Sequence, residues 1–218
     1  MNERGSPEDA HEPHAKGSLY PDDVIAMKVK AELRKRMRGV RRAAQPSACE
    51  ARSNKIRDRL SALPELGAAR TIALFFPIEG RNEVDLRPLD AALRASGKTL
   101  VYPSIDPDTN VMTFRVVDDL EALEERGKGF REPSPEAEEV ARPDVIVVPA
   151  LAVAPTGHRL GYGAGYYDRA LAAAPSSFSV VVAFDYQLLV EVPTLSHDVA
   201  VKLVVTDARV LAPEAPVT

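Results

Sequence analysis

Apolar residues recur at helical spacing within residues 22–44, where Val29, Leu33, Met37 and Val40 predict one stripe of a first helix. Ser47, directly after Pro46, is placed to cap a second helix running to about residue 63. Beyond it the pattern changes to short β-branched runs at 71–78, 99–105, 111–117, 144–148, 178–184 and 201–206. Helical stretches at 85–96 and 166–174 separate several of them. Strands alternating with helices predict an α/β fold, with a largely parallel sheet covered on both faces. The turn residues Asp106-Pro107-Asp108-Thr109-Asn110 lead straight into the third run, which predicts a hairpin with 99–105. No internal repeat is visible.

The chain has 218 residues, enough for one α/β domain over 22–212 with a disordered acidic tail at 1–21 and a loose end at 213–218. A net charge of −4 argues against a protein that binds polyanions over its whole surface. No run approaches the ~18 apolar residues needed to cross a bilayer. The first residues also lack the basic-then-apolar layout of a secretory signal, so the expected location is the cytoplasm, without membrane or nucleic-acid partners. A single cysteine, Cys49, excludes an internal disulfide and reads as a small packing residue. His11 and His14 lie in the first tail and read as solvated.

Charge changes the picture in one place. From Met27 to Arg42 eight Lys/Arg face one acid, a local +7 that leaves −11 on the rest of the chain. Lys30, Arg34, Arg38 and Arg41 fall on one helical stripe, suited to a multivalent anion such as a nucleotide triphosphate, although a solvated face is the plainer reading for most of these charges.

A second feature is the segment Arg159-Leu160-Gly161-Tyr162-Gly163-Ala164-Gly165-Tyr166-Tyr167-Asp168, between the run at 144–148 and the helix at 166–174. Glycines before a helix N-terminus let backbone N–H groups approach phosphate. It is neither a P-loop nor a Gly-x-Gly-x-x-Gly fingerprint, because Tyr166 stands where the third glycine is required. On glycine spacing alone a plain tight turn is an equal reading; Arg159 and Asp168 add a phosphate grip and a carboxylate able to share Mg²⁺. Asp198, in the loop with His197, is a candidate second metal ligand, and Glu83 follows the first strand, on the side where open α/β sheets bind ligands.

Together these segments resemble the 5-formyltetrahydrofolate cyclo-ligase family, also called 5,10-methenyltetrahydrofolate synthetases, over roughly residues 28–211. Beside the glycine segment, the resemblance rests on Lys30-x3-Arg34, Asn82-Glu83-Val84-Asp85, Arg131-Glu132-Pro133, Ala183-Phe184-Asp185-x-Gln187, and His197-Asp198-Val199 followed by Val204-Val205-Thr206. It implies a three-layer α/β/α fold related to sugar-phosphate isomerases and CoA transferases. It also implies a monomeric cytosolic enzyme that uses ATP and Mg²⁺ to cyclise 5-formyltetrahydrofolate. By position, Lys30, Arg34 and Arg159 would be the catalytic, phosphate-holding cations, and Arg159 to Tyr167 the nucleotide loop. Glu83 and Tyr162 to Tyr166 would meet the folate, and Asp168 and Asp198 the metal. Three positions depart from the family: Tyr162, Ala164, and Lys202, which stands where an aspartate is common and could disturb the metal. That departure keeps open a non-catalytic folate- or nucleotide-binding homologue; a sugar-phosphate isomerase is the remaining alternative.

Overall fold

The computed structural model describes residues 21–126 and 129–213. The two expected tails lie outside them, apart from Pro21 and Pro213. Helices α1 (Pro21–Ala43), α2 (Pro46–Ser61) and α3 (Pro64–Ala68) precede the first strand, β1 (Thr71–Ala73). Helix α4 (Arg87–Ala95) returns the chain to the hairpin of β2 (Thr99–Ile105) and β3 (Met112–Val116). Two short ribbons follow, β4 (Glu124–Glu125) with β5 (Arg131–Glu132), and, beyond β6 (Val145–Pro149), β7 (Ala152–Val153) with β8 (Arg159–Leu160). Helix α5 (Tyr166–Ala173) and strands β9 (Phe178–Val182), β10 (Leu203–Val205) and β11 (Val210–Leu211) complete the chain.

The main sheet has the order β11-β10-β9-β6-β1-β2-β3. Its inner pairs are parallel, and only the two edge pairs, β2–β3 and β10–β11, are antiparallel. Strand periodicity divides the core in two. Ile72, Leu100, Val145, Val147, Val180 and Val205 meet the buried faces of α2, α3 and α4 on one side. Ala73, Val101, Ile146, Val148, Val181 and Val204 meet Leu171 and Ala174 at α5 on the other. This is the expected α/β three-layer arrangement, and it explains why the central strands are apolar at successive positions. Among the described residues no helix is long and apolar enough to cross a membrane.

Several details differ from the sequence expectation. The run at 71–78 stays in the sheet for only three residues; after the Leu74 N–H donates to the Val101 carbonyl, the chain leaves the ladder, and Pro77 keeps it from resuming. Ser47 does not cap α2: Pro46 opens the helix after Gln45, without a side-chain cap. The apolar stripe of α1 is also rotated. Val29 and Val40 are about two-fifths exposed, while Lys30, Met37 and Arg41 are buried, with Leu33 and Arg34 half-buried beside them. Arg38 points to solvent. Met37 anchors the helix on a small cluster formed with Leu151, Ala152, Ala154, Leu160 and Val192, around the β7–β8 ribbon.

Lys202 is likewise bonded within the fold and is not among the residues that line the cavity at the strand ends. Its ammonium donates to the carbonyls of Pro175 and Ser177, at 3.0 and 2.8 Å, beneath the start of β9. In this position the ammonium is bonded to backbone carbonyls and makes no ion pair with Asp198 among the described residues.

The ribbon is tied to the segment before β10 at Gly157, whose carbonyl accepts the Val201 N–H at 3.0 Å. Gly157 has φ +80°, and a Cβ there would stand 2.6 Å from the Val201 carbonyl oxygen and 2.8 Å from Pro213. Gly157→Ala is expected to destabilise the fold by about 2 kcal/mol or more, measured by urea unfolding, because both backbone strain and the clash must be relieved.

Candidate active site

Strand order reverses at β1, with β2 on one side and β6 on the other, and the chain leaving both strands passes over the same end of the sheet. A cavity of about 600 Å³ opens there. Its walls come from the segment after β1, the glycine segment after β8, the loop carrying Asp198, and α1, which lies across the opening. This is the crevice at which open α/β sheets take ligands.

The inward stripe of α1 makes three separate attachments to those walls. The Lys30 ammonium, almost fully buried, pairs with Asp198. One turn on, Arg34 donates through Nε to the Gly161 carbonyl at 3.0 Å. Its guanidinium carbon lies 3.4 Å from where a Cβ of Gly163 would stand, and Gly163 has φ +113°. Glycine there satisfies both the backbone conformation and the close approach of the arginine. Two turns further, Arg41 donates to the Tyr162 hydroxyl and lies 3.3 Å from Glu83. Asn82 holds this end of the helix, its side-chain amide donating to the carbonyls of Arg41 and Ala44 at 3.0 and 2.9 Å. The Arg41 carbonyl also accepts the Ala44 N–H at 3.2 Å, so the amide adds to the closing turn of the helix.

On the opposite wall Arg159 and Asp168 form one unit. Arg159, buried, donates to Asp168 at 2.9 Å and to the Val199 carbonyl at 2.6 Å, while the same Asp168 oxygen accepts the Val199 N–H at 3.2 Å. Both backbone groups of Val199 are therefore held, which sets the position of Asp198 beside it. Asp198 also accepts the Leu195 N–H at 2.7 Å. Burial works to raise the Asp198 carboxyl, but the hydrogen bonds and the Lys30 charge outweigh it and hold the group below the usual carboxylate range.

Glu83 is almost completely buried. One oxygen accepts the Ile78 N–H at 2.8 Å and the other the Tyr162 hydroxyl at 2.7 Å. The Tyr162 ring lies beneath the Arg81 guanidinium, 5.3 Å from ring centroid to carbon. Burial first, and then the Glu83 charge, push the Tyr162 phenol above its ordinary value.

The site residues expected from sequence thus converge on one cavity, Leu160 excepted: its side chain packs into the cluster beneath α1. Ala164 is exposed at the loop tip, its carbonyl accepting from Arg169 at 3.0 Å. Tyr166 donates to Asn110 of the β2–β3 turn at 2.7 Å, and Tyr167 lines the cavity floor beside Arg159. Three further residues shape the site: Arg41, which the charge pattern reaches only as part of an anion-facing stripe, and Arg81 and Asn82. The first lies on the cationic stripe at i+11 from Lys30 and was within reach of the pattern; the other two depend on tertiary placement.

A metal would find limited protein ligation here. Among the described residues no group of three His, Cys, Asp or Glu side chains is arranged to hold one. Asp168 has one carboxylate oxygen without a hydrogen bond among the described residues, and Asp198 lines the same cavity. Two carboxylates fit Mg²⁺, which is commonly bound through one or two acids plus substrate phosphates, and do not fit a cation caged by protein alone.

The family model for the 5-formyltetrahydrofolate cyclo-ligase family matches residues 26–207. The chain is 35% identical to the 5-formyltetrahydrofolate cyclo-ligase of Mycolicibacterium smegmatis over 190 residues, 83% of this chain and 94% of that protein. Against the cyclo-ligase of Escherichia coli K12 it is 30% identical over 177 residues, 78% and 96% of the two chains. The NMR structure of Aquifex aeolicus 5,10-methenyltetrahydrofolate synthetase superposes with a TM-score of 0.74 at 32% identity, covering 87% of this chain and 95% of that one. The Mycoplasma pneumoniae synthetase, at 24% identity and TM-score 0.66, shares the fold.

The pairing of Asp198 has a pH signature. A carboxyl depressed in the folded state contributes stability above its unfolded value, near pH 4, and that contribution is lost as pH falls through the lower folded value. The stability difference between wild type and Asp198→Asn is expected to grow in favour of wild type from about pH 2 to pH 5 and then level off, measured by denaturant unfolding at each pH.

Proposed function

The chain belongs to the 5-formyltetrahydrofolate cyclo-ligase family, and on that premise we propose that it closes 5-formyltetrahydrofolate to 5,10-methenyltetrahydrofolate, with ATP as second substrate and Mg²⁺ as its counter-ion. Members of this family are ligases. The observation that carries the reading is one cavity lined by Lys30 on Asp198, Arg34 on the glycine loop, and the buried Glu83 carboxylate. One end offers cations and backbone donors, which suit a triphosphate. The other offers a carboxylate, which suits a ring rich in N–H donors.

In this reading the formyl oxygen takes the terminal phosphoryl group of ATP, which converts a poor leaving group into phosphate. N10 of the folate then attacks the activated carbon, and phosphate departs as the ring closes, leaving ADP. Such a reaction asks the protein for positioning and charge neutralisation rather than covalent catalysis. No serine, cysteine or histidine nucleophile is needed.

Lys30 and Arg34 hold phosphate oxygens from the α1 side. Asp198 keeps the Lys30 ammonium at the loop until those oxygens compete for it. Arg159, buried against Asp168, adds positive potential beneath the nucleotide loop running to Tyr167. Glu83, with Tyr162 to Tyr166 beside it, orients the pterin. Asp168 and Asp198 would hold Mg²⁺ against the phosphates, where the ion offsets charge on the group in transfer.

The test is to mix the protein with Mg-ATP and 5-formyltetrahydrofolate and follow methenyltetrahydrofolate by its near-ultraviolet absorbance. Turnover that depends strictly on ATP is expected; ATP binding without turnover would overturn the reading. Arg34→Ala should raise the KM for ATP roughly tenfold or more, with a smaller change in kcat. Asp168→Ala should lower kcat by roughly a hundredfold or more while the circular dichroism spectrum is retained.

A further inference from the structure

Glu83 is spoken for before any ligand arrives. Its Oε2 accepts the Ile78 N–H at 2.8 Å, and its Oε1 takes the Tyr162 hydroxyl at 2.7 Å with Arg41 at 3.3 Å. Arginine can only donate, so the Tyr162 oxygen accepts from Arg41 and its one proton must point at Glu83. The tyrosine thus makes to Glu83 the kind of hydrogen bond that a ring N–H would make. Behind the group, between Arg41, Glu83, Pro149 and Gln187, lies a recess of about 10 Å³, room for no more than about one water. A heterocycle cannot approach Glu83 from that side. On the side of the main cavity, which Glu83 and Tyr162 both line, the tyrosine hydroxyl already occupies Oε1.

We infer that Tyr162 is an internal competitor for the ligand of Glu83, setting affinity and donor selectivity by the hydrogen bond that a ligand must displace. This rests on the reading of Glu83 as the pterin contact. A ring with two adjacent N–H donors recovers the lost bond and adds one. A ring with a single donor only exchanges one bond for another. The Tyr162 ring stays useful after displacement, because its face is already covered by Arg81 and needs no hydroxyl for that contact. Arg41 remains with Glu83 through the ion pair, so the carboxylate is left charged and in place.

The experiment is calorimetric titration of 5-formyltetrahydrofolate into the ATP-free protein. It compares wild type, Tyr162→Phe, Glu83→Gln and the double variant, each first shown to unfold cooperatively. Removing one hydrogen bond to a charged carboxylate from the competing side should tighten the Kd of Tyr162→Phe about tenfold or more, and the gain should vanish in the Glu83→Gln background. If Glu83→Gln weakens binding but Tyr162→Phe is unchanged or weaker, the tyrosine positions the carboxylate rather than competing for it, and the inference is overturned while the reading of Glu83 stands. If Glu83→Gln leaves affinity unchanged, that reading fails, and the inference with it.

Discussion

The arrangement depends on burying the cations of a single helix. Lys30, Arg34 and Arg41 point inward from α1, and each is met by a different loop: the Asp198 loop, the Gly161 carbonyl and the Glu83 segment. A buried charge left without its partner is strongly destabilising, commonly by about 3–5 kcal/mol, so these pairings specify where α1 lies as much as they hold it there. Met37, with Leu33 beside it, packs apolar surface between the charges.

The sheet prepares those partners. Because β1 and β6 lie at the reversal of strand order, the segments leaving them face each other across one crevice. Pairing of the first ends at Leu74, and Pro77 beyond it cannot resume a ladder in the stretch that leads to Glu83. Asn82, at φ +48°, turns this stretch back so that its amide can close the end of α1 while Glu83 reaches Arg41. Across the crevice, Arg159 and Asp168 grip Val199 by both its backbone groups, which ties the segments carrying Asp168 and Asp198 together.

A common feature follows. The groups assigned to ligands already have partners within the protein: Lys30 with Asp198, Arg34 with Gly161, Arg159 with Asp168, and Glu83 with Tyr162. Binding is then an exchange of hydrogen bonds within a partly desolvated cavity, and only the difference between old and new partners contributes to affinity. Such a site is preorganised without carrying unpaired buried charges in the free protein.

The alternation of β-branched runs with helices determined the α/β class and the parallel interior, and the hairpin at 106–110 was legible from its turn residues alone. The glycine segment, its flanking Arg159 and Asp168, and the local excess of positive charge were equally plain in one dimension. The rotation of α1 was not. Counting apolar positions placed Val29 and Val40 inward, whereas the partners waiting on the loops drew in Lys30 and Arg41. Nor could Lys202 be assigned from spacing, since its direction is decided by the carbonyls of Pro175 and Ser177, which lie more than twenty positions upstream. Local pattern determined which segments become strands and helices, because periodicity and turn chemistry act over a few residues. Tertiary structure alone decided which charges meet, because the preference of a cation for the interior depends on an acceptor brought there from a distant part of the chain.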